Sequence, residues 1–260
     1  MVRTLAFSSG KGGVGKTSIS VNCALLLSMQ GHRVALLDAD FGMANSHIML
    51  DQKIDKTLQD VLENKASIRD IVCQTSHGLK LIPGGSGVIE LLNLNSTKRW
   101  EIIRTVSSLQ DELDYLIVDT PAGGSDASIE FAAACDSLIV VLVGEPTSFM
   151  DAYAFIKAIC LEKDYNKISI LVNLAASEKS ALNSFDSFKQ IVTKFLDVEL
   201  SFAGWLPDSR TLKNSIISRK PVALNSKGED RQLIQNFNKI TKHISSMDIQ
   251  STSGIKFFGE

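Results

Sequence analysis

Residues 8–17 read SSGKGGVGKT, directly after the apolar run at 2–7 and directly before SISVNCALLLSMQG. Where a glycine-rich turn opens a helix, backbone N–H groups face phosphate oxygens, a lysine reaches the terminal phosphates and the next hydroxyl binds Mg2+. Gly10, Gly12, Gly13, Val14 and Gly15 are therefore the expected cradle, Lys16 the phosphate-binding lysine, Thr17 a magnesium ligand and Ser18 a further nucleotide contact. A glycine turn that bound nothing would leave a lysine and a strained bend without an anion to justify them. A second lysine, Lys11, stands five positions ahead of the expected one.

Two further stretches supply carboxylates. LIVDTP at 116–121 is an apolar run ending in an acid, and the carboxyl ends of strands are where open α/β sheets put their ligands. Asp119 is the expected Walker B carboxylate, accepting from a Mg2+-bound water. Asp38 and Asp40, in LLDADFG, bring two more acids toward the same metal and γ-phosphate. Asp38 is assigned to the metal with Thr17 and Asp119. Asp40 is assigned to the attacking water, beside the catalytic lysine Lys16.

These residues need a scaffold that delivers them to one edge. Short apolar runs at 4–7, 33–37, 79–82, 115–118, 138–143, 168–172 and 202–206 alternate with helical patterns at 17–30, 98–112, 148–161, 180–196 and 230–246. The runs are continuously apolar, as in parallel strands covered on both faces by crossover helices. The expected fold is a doubly wound, mostly parallel sheet of about seven strands, with an ATPase domain at 1–246 and a polar linker and short apolar tail at 247–260. At 260 residues and 44% apolar the chain can bury a full core. The four cysteines lie far apart with no CxxC pair, which reads as reduced core thiols in a cytoplasmic protein. No export signal and no run of membrane-spanning length is found. The net charge of −2 argues against wholesale nucleic-acid binding.

GKGGVGKT with its early lysine, DADFGMAN at 38–45 and DTPAG at 119–123 resemble the deviant Walker A ATPases of the MinD/ParA family, over essentially the whole chain. The resemblance implies ATP and Mg2+ as cofactors and an ATP-sandwich homodimer in which Lys11 crosses to the phosphates of the other subunit. It also implies adenine contacts from Asn173, ending ILVN, and from Pro207 and Asp208. Such a lysine is a cation supplied in trans to the transferring phosphoryl group, as an arginine finger is elsewhere. Within the family DADFGMANSHIML, LIPGGSGVIELLNL at 81–94 and GEPTSFMDAYAFIKAI at 144–159 look most like the FlhG/FleN group of flagellar-number regulators. Partners implied by that likeness are a flagellar transcriptional activator or flagellar assembly proteins.

Two surface features bear on partners. Basic residues crowd 209–243 (Arg210, Lys213, Arg219, Lys220, Lys227, Arg231, Lys239, Lys242), which fits DNA phosphate, anionic lipid or a solvated helix face. Ile255, Phe257 and Phe258 in the tail GIKFFGE resemble a truncated amphipathic membrane-targeting segment, which would give weak, reversible lipid contact, or they pack on the protein itself. The competing readings are a DNA or cargo partition ATPase and a metabolic P-loop ligase. The iron–sulfur branch of the superfamily is disfavoured, since no cysteine closely follows DTPAGGSD.

Overall fold

Eight strands form one sheet in the computed structural model, which describes residues 2–41, 44–85, 94–225, 230–249 and 254–258. The strands are β1 (Arg3–Ser8), β2 (Val34–Asp38), β3 (Cys73–Gln74), β4 (Lys80–Ile82), β5 (Tyr115–Asp119), β6 (Ser137–Val143), β7 (Lys167–Ala175) and β8 (Glu199–Pro207). Their order is β3-β4-β2-β5-β1-β6-β7-β8, and only the β3–β4 pair is antiparallel. The seven expected strands are the seven parallel ones. β3 carries no sequence signal because it is two residues long, joined to β4 by a turn in which Gly78 takes φ 82.

Among the described residues the helices are α1 (Lys16–Met29), α2 (Ser46–Met49), α3 (Leu58–Leu62), α4 (Ile68–Ile71), α5 (Ser96–Ser107), α6 (Asp126–Ala133), α7 (Pro146–Lys163), α8 (Glu178–Thr193), α9 (Arg210–Ile217) and α10 (Arg231–Ser246). One apolar core holds α5 to α8 against one face of the sheet, and a second holds α1 and α10 against the other. The five expected helices are present. The one placed at 98–112 stops at Ser107 and ends in a separate 3-10 turn at Gln110–Glu112. α6 and α9, of eight residues each, went unread because so short an apolar stripe barely shows a period.

The tail joins the first core. Phe257 is fully buried, stacks on Phe131 with ring centroids 6.5 Å apart, and donates its backbone N–H to Ala134 O at 3.1 Å. Ile255 and Phe258 pack beside it, and Lys256 Nζ donates to the carbonyls of Ala133 and Cys135. The described tail residues 254–258 are thus part of the domain's packing; residues 250–253 of the polar linker lie outside the described residues.

Candidate functional site

β1 lies between β5 and β6, so its C-terminal end opens at the centre of the sheet, and the phosphate loop leaves from there. Register does the rest. Phe7 pairs with Asp119, and Asp38 pairs with Asp119, which sets the two carboxylates side by side on neighbouring strands about 4.8 Å apart. Both are buried, Asp119 fully.

The loop is shaped by its glycines where space is tight. A Cβ on Gly10 would meet the backbone of Asp151 at 2.1 Å, which locks the loop against α7. At Gly15 a Cβ would lie 2.5 Å from Asn173 Nδ2, and φ is 89. Gly12 and Gly13 have open space around them and leave their backbone exposed. Gly15 is also the N-cap of α1 and offers no side-chain cap, so the first turn of a 14-residue helix keeps N–H groups for an anion.

Lys16 is 6% exposed and donates to Asp119 Oδ1 at 2.8 Å. The other oxygen of Asp119 is buried with no hydrogen-bond partner, as are Ser18 Oγ and Ser46 Oγ. Asp38 accepts from the backbone N–H of Ser46 at 2.9 Å, which fastens the start of α2 to the end of β2. Burial, with the Asp119 charge beside it, pushes Asp38 up to about 7. A buried carboxylate oxygen without a donor and a second carboxylate reluctant to ionise suit a divalent cation and its waters. Thr17, Asp38 and Asp119 are the residues that would hold Mg2+ there.

A cavity of about 460 Å³ stands over the loop, lined by residues 12–18 and by Asp40, Asn45, Ile48, Met49, Ala122 and Ile216. The structure therefore brings together Gly12, Gly13, Val14, Gly15, Lys16, Thr17, Ser18 and Asp40 in that cavity, with Asp119 beneath them through Lys16, while Gly10 packs on α7 outside it. Asn173 stands at its side and donates Nδ2–H to Val14 O at 2.7 Å, while its buried Oδ1 has no partner. Pro207 and Asp208 lie at the end of β8 outside this cavity, and Asp208 pairs with Lys213 at 2.5 Å.

Lys11 turns away from the cradle. Its Nζ donates to Glu145 Oε2 at 3.3 Å and to Thr147 Oγ1 at 3.2 Å, both at the start of α7. Glu145 escaped sequence reasoning, though it lies in the GEPT stretch already singled out. So did Gly84, whose Cβ would fall 2.1 Å from Asp38 O and 2.8 Å from Phe41, though its PGG tripeptide lies in the 81–94 stretch already singled out. Gly42 and Met43 of DADFGMAN and residues 86–93 of the 81–94 segment lie outside the described residues.

Comparison with known proteins places this geometry. The ParA family model, described as NUBPL iron-transfer P-loop NTPase, matches residues 1–245. The antiactivator FleN of Pseudomonas aeruginosa is 36% identical over 85% of this chain and 79% of its own length. The flagellum site-determining protein YlxH of Helicobacter pylori is 33% identical over 83% of this chain and 73% of its own. Among solved structures, the septum site-determining protein MinD complexed with Mg-ADP from Pyrococcus horikoshii superposes with a TM-score of 0.78 at 21% identity, covering 95% of this chain and 97% of that one. The iron named in the family description finds no thiol pair here: Cys23 and Cys135 are buried core residues, and burial holds both thiols far above their usual range.

Proposed function

This chain belongs to the ParA/MinD family of P-loop ATPases, and from that premise we propose that it is an ATP-switched dimer that regulates flagellar number or placement and flagellar gene expression. Slow hydrolysis is its timer. The observation that carries the switch is the position of Lys11, at the lip of the loop and bound only to surface groups of its own chain among the contacts described. In the ATP state a second copy presents phosphates to it, and the ammonium exchanges Glu145 for that charge. Lys16 stays in cis and moves from Asp119 to the β and γ phosphates, which frees the Asp119 carboxylate that, with Thr17 and Asp38, would hold Mg2+. When bound, Mg2+ neutralises the developing phosphoryl charge. Asp40 lines the same cavity and orients the attacking water.

The flagellar role rests on likeness to FleN and YlxH, the first named an antiactivator. Partner contact then falls on elements that the loop touches directly. Gly10 packs on α7, whose outward face carries Met150, Lys157 and Leu161, and α2 follows the Asp40 segment. A flagellar transcriptional activator or assembly protein docking there would sense the γ-phosphate. Lipid contact by the tail, if part of this cycle, requires Phe257 to leave the core. Among the described residues no helix is long and apolar enough to cross a membrane.

Several cations of the basic stretch are already paired: Lys213 with Asp208, Arg219 with Asp51 and Lys239 with Glu178. That lowers the charge available to DNA phosphate; Lys227 lies outside the described residues. Deleting the gene, or replacing it with Lys157→Glu, is the test. Changed flagellar number with chromosome and plasmid inheritance intact supports the reading. Normal flagella with raised plasmid or chromosome loss would replace it with partition.

A further inference from the structure

A second cavity opens between the end of α2, α9 and the loop at 75–77, and is larger than the one over the phosphate loop, about 660 Å³ against about 460 Å³. That volume suits a small organic ligand. Leu25 of α1, Leu50 and Leu224 give it an apolar floor. Thr75 lines it as well, with its hydroxyl buried within the wall.

The rim is cationic. Arg219 and Lys220 stand there with one carboxylate, Asp51, whose Oδ1 is 3.7 Å from Arg219 Nη1. Asp51 and Arg219 both hold left-handed backbone, φ 50 and φ 54, which non-glycine residues seldom adopt unless the surroundings impose it.

The two cavities share walls. α2 gives Ile48 and Met49 to the phosphate-loop cavity, and the residues that follow it, 50–52, line the second. α9 gives Ile216 to the first, and Asn214 and Ser215 to the second. We propose that the second cavity is a ligand site for a small molecule with an apolar body and one anionic group, phosphate or carboxylate, and that its occupancy changes nucleotide affinity through α2. The apolar body meets the leucine floor, and the Arg219 fork, giving up Asp51, takes the anion at the rim beside Lys220. Since α2 is tied to Asp38 through the Ser46 N–H, a ligand that shifts α2 shifts a metal-site carboxylate. The regulatory half rests on the nucleotide switch proposed above; the binding half does not.

Phenyl phosphate and phenylacetate are the probes, titrated calorimetrically into the full chain saturated with Mg2+ and a slowly hydrolysed ATP analogue. At least one binds without displacing the analogue, and phenyl phosphate alone would narrow the class to phosphates. Ser215→Phe, which fills the cavity, and Arg219→Glu, which reverses its rim charge, each weaken that binding roughly tenfold or more. Bound probe shifts the analogue's affinity, and the analogue shifts the probe's by the same factor. The site is overturned if neither probe binds at millimolar concentration, which leaves water as the occupant, if the analogue displaces the probe, or if both variants bind as the parent does. Binding with no reciprocal shift overturns the regulatory half. Lys16→Ala retaining ATP affinity would refute the switch itself and leave the probe titrations untouched.

Discussion

Within one loop the chain sets two lysines in opposite surroundings. Lys16 is 6% exposed and faces a carboxylate with no exposure at all, whereas Lys11 is 32% exposed and faces one that is 64% exposed. A buried ion pair has lost its water, so removing either partner strands the other's charge. A surface pair is screened, and breaking it costs little. The contrast teaches which lysine the fold has committed. Lys16 is held in cis by Asp119 and is released only to a comparable anion, while Lys11 is held loosely enough to be surrendered to a second molecule.

The largest effect expected is at Lys16. Lys16→Ala abolishes ATP binding and also destabilises the ligand-free protein by about 3–5 kcal/mol, because Asp119 is left buried without its cation. Calorimetric titration and urea unfolding measure the two losses separately. A variant as stable as the parent would mean that the pair is not the buried contact described here.

Asp38 sharpens the same side of the contrast through pH. Its folded pKa is raised from 3.8 to about 7, so between those values the folded state holds a proton that the unfolded chain has lost. Stability of the ligand-free protein from this group is therefore full below about pH 4 and falls as pH rises to about 7, then levels off. Asp38→Asn should flatten that slope in denaturation midpoints across the window. Mg2+ with nucleotide needs the carboxylate and should expel the proton, measurable as proton uptake by the buffer.

Lys11→Ala should be nearly silent in the monomer, costing no more than about 1 kcal/mol of stability. ATP binding is retained while light scattering of the Mg2+–ATP form shows a monomer where the parent is a dimer. Equal loss of nucleotide binding in both lysine variants would mean that Lys11 acts in cis, and the contrast would collapse.

How much of this was legible follows from range. The strands and the loop are local patterns: a continuous apolar run, a glycine cluster, an acid at a strand end. All seven parallel strands and the cradle could be read for that reason. Register could not be, so the pairing of Asp38 with Asp119 emerges only from the sheet, as does the elevation of Asp38. Asn173 was assigned to adenine by resemblance, and the fold adds a task that no local pattern encodes, a bond to Val14 O some 159 positions away in sequence. The tail is the same lesson in apolar form. Three large side chains on a short segment are compatible with lipid or with a core, and the choice depends on Phe131 and Ala134, far upstream.

The smallest effect, and the finest test of the contrast, is at Glu145. Its bridge to Lys11 lies in the surface range of about 0–1 kcal/mol, and Thr147 Oγ1, at 3.2 Å, still accepts from the ammonium if the carboxylate is lost. If the bridge holds Lys11 back from a partner's phosphates, the bridge of each protomer opposes dimerisation by that amount. Glu145→Gln should then tighten the ATP dimer, by no more than about thirtyfold in the dimer dissociation constant, since two bridges are given up per dimer and 1.4 kcal/mol is tenfold. The ADP form, which offers no γ-phosphate to exchange for, should be unchanged. Sedimentation of both forms across a protein dilution series decides it. A dimer weakened by the substitution would show that Glu145 itself reaches across the interface, and Lys11 would then be one member of a reciprocal pair in which its own chain's carboxylate is not the competitor.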